Sequence, residues 1–362
     1  MVISSIVCLI WIVLVFGRKG FWRVAEPKSL PFPTTQPKVC AVIPARNEAE
    51  VVGRSVGSLA ANDYPLHIFL IDDHSTDGTA EAAGKHTNLT ILESRKLEQG
   101  WTGKLWAVSQ GVEAASRELP DYYLLTDADI EHAPDNVSQL VARAESGGFD
   151  MVSVMVKLRC ESFAEKALIP AFVFFFFKLY PPGPDTTGAA GGCILVRPTA
   201  LEKIGGIAKI RSEVIDDCAL AREVKNAGGK LWLGVTQTTR SVRPYPAFTD
   251  VEQMIARTAF TQLGHSFWML LAAVLGMFVV YLLPVILSIA GFQLAWAAWA
   301  LMTIAYIPIL RFYGRSWLWA LALPLIALYY TGATIHSAIL YWTGKGGMWK
   351  GRVSTLRGTP SE

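Results

Sequence analysis

Between Phe267 and Trp342 the chain carries only two formally charged side chains, Arg311 and Arg315. A stretch so poor in charge must be covered by protein or by lipid. It divides into apolar segments from Phe267 to Ile289, Leu294 to Leu310 and Trp317 to Trp342, each near the ~20 residues that a helix needs to cross a bilayer. The expected organisation is therefore about three transmembrane helices over 266–343 and a basic tail over 344–362, with Lys345, Lys350, Arg352 and Arg357. The arginines mark one loop as cytosolic, and the loop at Gly291 to Gln293 has no charge. Three crossings would then put the basic tail outside, so either one segment is re-entrant or the tail departs from the positive-inside tendency. His336, alone in the last segment, reads first as a packed or hydrogen-bonded residue.

The N-terminus is also apolar, from Met1 to Phe16, and is followed at once by Arg18 and Lys19. A cleaved leader has its positive charge before the apolar run, so residues 1–20 read as an uncleaved anchor with a cytosolic basic flank. The run is short for a span, and an interfacial helix is the alternative. Charged residues make up 17% and hydrophobic ones 52%, too apolar for a wholly soluble enzyme. A net charge of +3 without a dense basic tract gives no reason to expect nucleic acid as a partner. The five cysteines are scattered, without metal-site spacing.

After the proline-rich stretch 27–37, residues 38–265 alternate between strand and helix signals. Val39–Pro44 is a continuous apolar run ended by proline, with a helical stretch following to about Ala61. Further strands are expected at His67–Ile71, Thr90–Leu92, Tyr122–Leu125 and Met151–Leu158, and helices through Ala83 and over Leu105–Ser116. This is the pattern of an α/β domain with a mostly parallel, Rossmann-like sheet, whose ligands bind over the C-terminal strand ends. The loops after Ile43, Ile71 and Leu125 should converge there. Phe163 to Tyr180, with its run of phenylalanines between Lys166 and Lys178, reads as a buried core helix or as a membrane-surface element.

The chemistry gathers in those loops. Leu124–Ile130 ends an apolar run in Asp127 and Asp129, one residue apart, which suits a divalent cation, Mg²⁺ or Mn²⁺, bridging a diphosphate. Asp72 and Asp73 follow the second strand, where carboxylates suit the edge of a nucleotide base and ribose hydroxyls. Asp216 and Asp217 open a helix after a small-residue stretch at Gly188–Gly192; paired carboxylates push one pKa upward, as a general base for an acceptor hydroxyl requires. Lys104, Arg240, Arg243 and Arg257 are cations available to a leaving diphosphate. Taken singly, each has a plainer explanation as a helix cap or surface charge.

In order, Val42-Ile43-Pro44-Ala45-Arg46-Asn47-Glu48, Ile71-Asp72-Asp73-His74-Ser75-Thr76-Asp77-Gly78-Thr79, Gly103-Lys104, Thr126-Asp127-Ala128-Asp129 and Ile215-Asp216-Asp217 resemble family 2 glycosyltransferases of the GT-A fold. With the Ala-Gly-Gly-Cys stretch, the anchor and the C-terminal segments, the chain looks most like the hopanoid-associated membrane subgroup. The resemblance implies an inverting transfer from a UDP- or GDP-sugar. Pro44, Arg46, Glu48, Asp72, Asp73, Lys104, Asp127 and Arg257 would contact the donor, with Asp73 at the base. Asp127 and Asp129 would hold the metal, and Asp217 would be the catalytic base with Asp216 beside it. The chain departs from the family at two places: Asp216 replaces the usual Glu of a Glu-Asp pair, and Gln253-Met254-Ile255-Ala256-Arg257-Thr258 lacks the Gln-X-X-Arg-Trp motif of processive synthases. Transfer of one sugar to a lipid acceptor, with the catalytic domain on the cytosolic face of a multi-pass plasma-membrane protein, is the leading expectation. A polysaccharide synthase and a catalytically silent nucleotide-binding scaffold are the alternatives.

Overall fold

The computed structural model describes residues 1–184 and 186–346, so most of the expected basic tail lies outside the described residues. The chain divides into two compact units. One comprises Glu26–Leu158 and Pro182–Arg243; the other comprises Met1–Ala25, Arg159–Pro181 and residues 244–346.

The first unit is built on a single sheet. Its strands are β1 (Val39–Ala45), β2 (Leu66–Asp72), β3 (Leu89–Glu93), β4 (Tyr122–Thr126), β5 (Ile130–Glu131), β6 (Met151–Lys157), β7 (Gly183–Pro184), β8 (Cys193–Val196) and β9 (Leu231–Ser241). They run in the order β3-β2-β1-β4-β8-β6-β9-β5, with β7 beside β9. The first four pair in parallel, as the alternation of strand and helix predicts. β8 is different: it runs antiparallel between β4 and β6 and joins them. Both faces of β1 are covered. Val39, Ala41, Ile43 and Ala45 enter one core, while Cys40 and Val42 enter the other, which is why the strand reads as unbroken apolar sequence rather than alternation.

The helix expected from about Ala45 begins only at Val52. The reason lies in side chains 28 to 31 residues away. Asn47 N–H donates to Ser75 Oγ at 2.9 Å, Glu48 N–H to Thr79 Oγ1 at 2.8 Å and Ala49 N–H to Asp77 Oδ2 at 3.0 Å, while Asn47 Oδ1 accepts from Thr76 N–H at 2.9 Å. These bonds hold Asn47 at φ +51°, a conformation that asparagine tolerates better than most residues. They also fasten the loop after β1 to the loop after β2.

The second unit is helical. Three of its helices, Phe267–Ile289, Gln293–Phe312 and Trp317–Trp342, are long and apolar enough to cross a membrane, and Val2–Gly17 is a shorter apolar helix. Two of these four contain a π-helical segment, Val13–Gly17 at the end of the first and Phe278–Leu282 within the second. A widened turn leaves a carbonyl without its usual helical donor. Tryptophan supplies one in each case: Trp22 Nε1 donates to Val15 O at 2.9 Å and Trp11 Nε1 to Val280 O at 2.8 Å.

The phenylalanine-rich helix Phe163–Leu179 starts at a capping box of Ser162 and Glu165. It packs as an inner element of this unit. Phe174 meets Phe21 and Tyr306, and Phe175 meets Tyr281 and Tyr330, at ring separations of 4.9 to 5.5 Å.

Candidate active site

Three carboxylates and one ammonium meet at the C-terminal end of β4. Asp127 stands immediately after the strand, Asp216 and Asp217 form the first turn of the helix Asp216–Asn226, and Lys104 lies in the first turn of the helix Gly103–Ser116, capped by Thr102. Lys104 Nζ lies 2.8 Å from Asp127 Oδ1 and 3.0 Å from Asp216 Oδ2. Burial would lower the Lys104 pKa, but the two carboxylates outweigh it and hold the group well above its usual value, so it is charged. Asp127 moves upward, through burial and through its neighbours Asp129 and Asp216, against the pull of Lys104.

Asp217 faces the other way. Its Oδ2 accepts from Gly191 N–H at 2.8 Å and its Oδ1 from Cys218 N–H at 2.7 Å. Burial, then the charge of Asp216, push its carboxyl up to about 6, even though Lys104 and the two N–H groups pull it down. A pocket joins these groups, and its floor is apolar: Leu105, Leu125, Ile194, Ile207, Ile210 and Leu220 line it together with Lys104, Asp127, Asp216 and Asp217. A Cβ at Gly191 would lie 3.2 Å from Asp217 Oδ2, so any larger residue there would press the carboxylate by a few tenths of an ångström.

Asp129 does not turn toward the same point as Asp127. Ile130 and Glu131 pair with the end of β9, which brings Ser241 and, two residues beyond the strand, Arg243 to Asp129. Ser241 Oγ donates to Asp129 Oδ2 at 2.9 Å, and Arg243 Nε donates to the same oxygen at 3.1 Å. Arg243 Nη2 reaches Glu48 Oε1 at 2.7 Å. One guanidinium thus ties the loop after β1 to the loop after β4, a contact across 195 positions of sequence that no local pattern announces.

The other expected donor contacts fall into two groups. Pro44 lines the pocket. Arg46 donates to the Asp73 carbonyl oxygen, and its Nη1 lies 3.7 Å from Asp73 Oδ2; Asp73 is fully buried and accepts from Ser94 Oγ at 3.0 Å. Asp72 caps its own turn by accepting from the Ser75 hydroxyl and N–H. Arg240 pairs with Glu131 on the surface at 3.2 Å. Arg257 belongs to the other unit, where it is exposed at the end of the helix Phe248–Ala256.

Sequence reasoning missed His132. Its ring is buried between Thr126 Oγ1 at 3.1 Å and Asn136 Nδ2 at 2.9 Å. Thr126 donates its single proton to Gly192 O at 2.7 Å, so it must accept from Nε2–H, and Nδ1 accepts from Asn136. Burial pushes the His132 pKa down to about 3, and the ring stays neutral. This chain of bonds runs from behind the Asp127 loop to the backbone next to Gly191. The only sequence signal was a histidine three residues after an acidic pair.

The donor set suits a hard divalent cation. Among the described residues no group of three or more His, Cys, Asp and Glu side chains forms a closed metal cage. Mg²⁺ and Mn²⁺ in nucleotide sites need only one or two carboxylates, with substrate phosphates completing the shell. Lys104 bridges Asp127 and Asp216 while Asp217 stands alongside, three carboxylates to one ammonium, and about a third of the Asp127 side chain is exposed.

Residues 40–205 match the family model described as Glycosyl transferase family 2, which is under half of the chain. An uncharacterized protein of Methanocaldococcus jannaschii is 31% identical over 114 residues, 32% of this chain and 44% of that protein. The undecaprenyl-phosphate 4-deoxy-4-formamido-L-arabinose transferase of Salmonella paratyphi A is 30% identical over 140 residues, 36% of this chain and 40% of the transferase. The chain thus spans less than half the length of these curated relatives. Among solved structures, a mannosyltransferase from Pyrobaculum calidifontis in complex with GDP-Man and Mn²⁺ aligns over 94% of this chain and 99% of that one, with TM-score 0.53 at 18% identity. That likeness bears on the fold. The α/β unit thus has the GT-A fold, and residues 40–205 match the family 2 glycosyl transferase model.

Proposed function

We propose that the protein is an inverting, membrane-bound glycosyltransferase that moves one sugar from a UDP- or GDP-sugar to a lipid hydroxyl at the cytosolic face of the plasma membrane. The observation that carries the proposal is the position of Asp217: a carboxylate held by two backbone N–H groups, raised to about 6, beside the ammonium that joins Asp127 to Asp216. A base of that pKa is mostly ionised at neutral pH and still basic enough to take a proton as it becomes acidic.

In this mechanism Asp73 and Arg46 line the nucleotide end of the donor site, with Asp72 shaping its turn. Lys104 supplies positive charge where diphosphate accumulates negative charge. A divalent cation, Mg²⁺ or Mn²⁺, held by Asp127 with Asp129 behind it, would add charge neutralisation there. The acceptor oxygen attacks the anomeric carbon opposite the diphosphate. The new C–O bond forms as the bond to phosphate oxygen breaks, and the acceptor proton passes to Asp217. The two N–H donors from Gly191 and Cys218 fix the direction in which this carboxylate points. The bond network of His132, Thr126 and Gly192 fixes the Gly191 backbone in turn.

A base matters for a hydroxyl, whereas a lipid phosphate is already ionised. The raised Asp217 therefore favours a hydroxyl-bearing lipid such as a hopanoid; the second reading, a polyprenyl phosphate, is favoured by the curated transferase relatives. The test is a donor screen on detergent-solubilised protein with Mg²⁺ or Mn²⁺, following nucleoside diphosphate release with hopanoid extract or polyprenyl phosphate as acceptor. Release with hopanoid, lost in Asp217→Asn, supports the first reading. Release with polyprenyl phosphate that survives Asp217→Asn supports the second, and long products would instead indicate a processive synthase. No release from any donor, with nucleotide still bound, would point to a scaffold.

A further inference from the structure

The last apolar helix, Trp317–Trp342, does not end where a third crossing would end. Consecutive antiparallel spans alternate sides: Phe267 on one, the turn between Ile289 and Gln293 on the other, Phe312 and Trp317 back on the first, and Trp342 on the second. Instead, the C-terminal end of this helix packs against the segment that precedes the first span. Phe260 meets the rings of Tyr341 and Trp342 at 5.5 and 5.4 Å, and His265 stacks on Tyr341 at 4.0 Å. Phe260 N–H donates to Ser337 Oγ at 3.0 Å, and Ala338 shares a core with Phe260 and Leu270. Both ends of the helix therefore lie on the side where Phe267 begins.

Its two faces have different surroundings. One tracks the helix Phe248–Ala256 and the turn after it: Tyr329 donates to Phe248 O, His336 Nδ1 lies 2.8 Å from Glu252 Oε1, and Ser337 donates to Ala256 O. These contacts, with Tyr341 against Phe260, extend over roughly 18 Å of helix at 1.5 Å per residue. The partnered segment carries Asp250, Glu252 and Arg257. Carrying such charged residues into hydrocarbon is strongly unfavourable. The side of the helix away from the buried Tyr330 and Ser337 is a continuous exposed apolar stripe at helical spacing, Leu321, Leu325, Leu328, Ile335, Ile339 and Trp342.

We propose that Trp317–Trp342 lies in the plane of the membrane surface, with this stripe in the lipid and Glu252 and His336 on the protein side. The chain then crosses only twice after Phe267, as a hairpin of Phe267–Ile289 and Gln293–Phe312. It returns at Lys345 to the side of Arg257, Arg311 and Arg315, with the uncharged turn at Gly291 on the far side. The basic residues then share one face, and the conflict with the positive-inside tendency disappears.

The full-length protein tests this in sealed vesicles of both orientations. Lys345→Cys and Gly291→Cys variants are labelled with a membrane-impermeant maleimide, with the parent protein as the reference for its native thiols. The proposal expects the two positions to react from opposite faces; labelling from the same face overturns it. A second measurement reads depth directly, with nitroxides on Leu321→Cys, Leu328→Cys and Ile335→Cys in reconstituted protein. An in-plane helix gives one depth at all three, whereas a crossing helix gives steps of ~10 Å per seven residues. Stepped depths overturn the proposal even if labelling at Lys345 is ambiguous. Neither readout depends on the sugar or the acceptor.

Discussion

Asp217→Asn should inactivate the protein without weakening it in proportion, and the difference should depend on pH. The carboxyl is raised from 3.8 to about 6 in the fold. Its contribution to stability is therefore complete below the unfolded value, near pH 4, and is lost as pH rises through about 6. At 1.36 kcal/mol per pKa unit the ionised form costs the native state about 3 kcal/mol at neutral pH. Asparagine avoids that cost, but it has a single acceptor where Asp217 takes N–H groups from Gly191 and Cys218. Turning an amide NH₂ toward one of these donors costs about 1–3 kcal/mol. Near pH 4 only the penalty remains and the Asp217→Asn variant should melt below the parent; near pH 7.5 the penalty is offset and the two should melt together, or the variant higher. The assay is thermal unfolding of metal-free protein in detergent at both pH values, paired with single-turnover transfer, where loss of a general base should slow the chemistry about 10²–10⁴-fold. A difference in melting temperature that is the same at both pH values would show that Asp217 does not carry a raised pKa. Unchanged turnover would remove it from the mechanism altogether.

Gly191→Ala places a methyl 3.2 Å from Asp217 Oδ2; a displacement of the base by a fraction of an ångström should lower kcat about 10–100-fold with little change in donor KM, measured by steady-state kinetics. Asp127→Ala should abolish saturable Mn²⁺ binding read by electron paramagnetic resonance while leaving the fold intact by circular dichroism. Arg243→Met takes the guanidinium from Glu48 and Asp129; removing one partner of a buried ion pair costs about 3–5 kcal/mol, so a large drop in melting temperature is the expected result. Trp11→Phe leaves the Val280 carbonyl without its indole donor and should cost about 1 kcal/mol, the scale of hydrogen bonds within membrane bundles, read by unfolding in mixed micelles.

The parallel half of the sheet was legible because β1, β2 and β4 each combine an unbroken apolar run with a polar turn at the C-terminal end, and buried parallel strands leave that trace. The direction of β8 was not legible. Cys193–Val196 is an apolar run like the others, and nothing in four residues says which way it runs. The acid cluster was found because carboxylates in sequential loops converge at strand ends by topology alone. What held them was hidden, since Arg243 lies 114 residues from Asp129 and His132 acts through Thr126 on a backbone carbonyl 66 residues from that threonine. The start of the first helix was misjudged for a similar reason, because Ser75, Asp77 and Thr79 claim the N–H groups of Asn47, Glu48 and Ala49. The last apolar segment is long and apolar enough to cross, as its sequence indicates; its partners along one face, which the in-plane proposal rests on, leave no trace in hydropathy.

The antiparallel strand β8 also orders events during synthesis. After β6 the chain leaves the α/β unit at Arg159 and re-enters it at Pro182; only then can β8 slip between β4 and β6 and join them. Gly191, which orients Asp217, arrives on that same return. A nascent chain that has emerged only as far as β6 can pair β1 to β4, but β4 and β6 are not yet connected and Asp217 has still to follow. Completion of the sheet thus waits for the chain beyond Pro182. A chain released at β6 would keep these parallel strands and lack both Gly191 and Asp217.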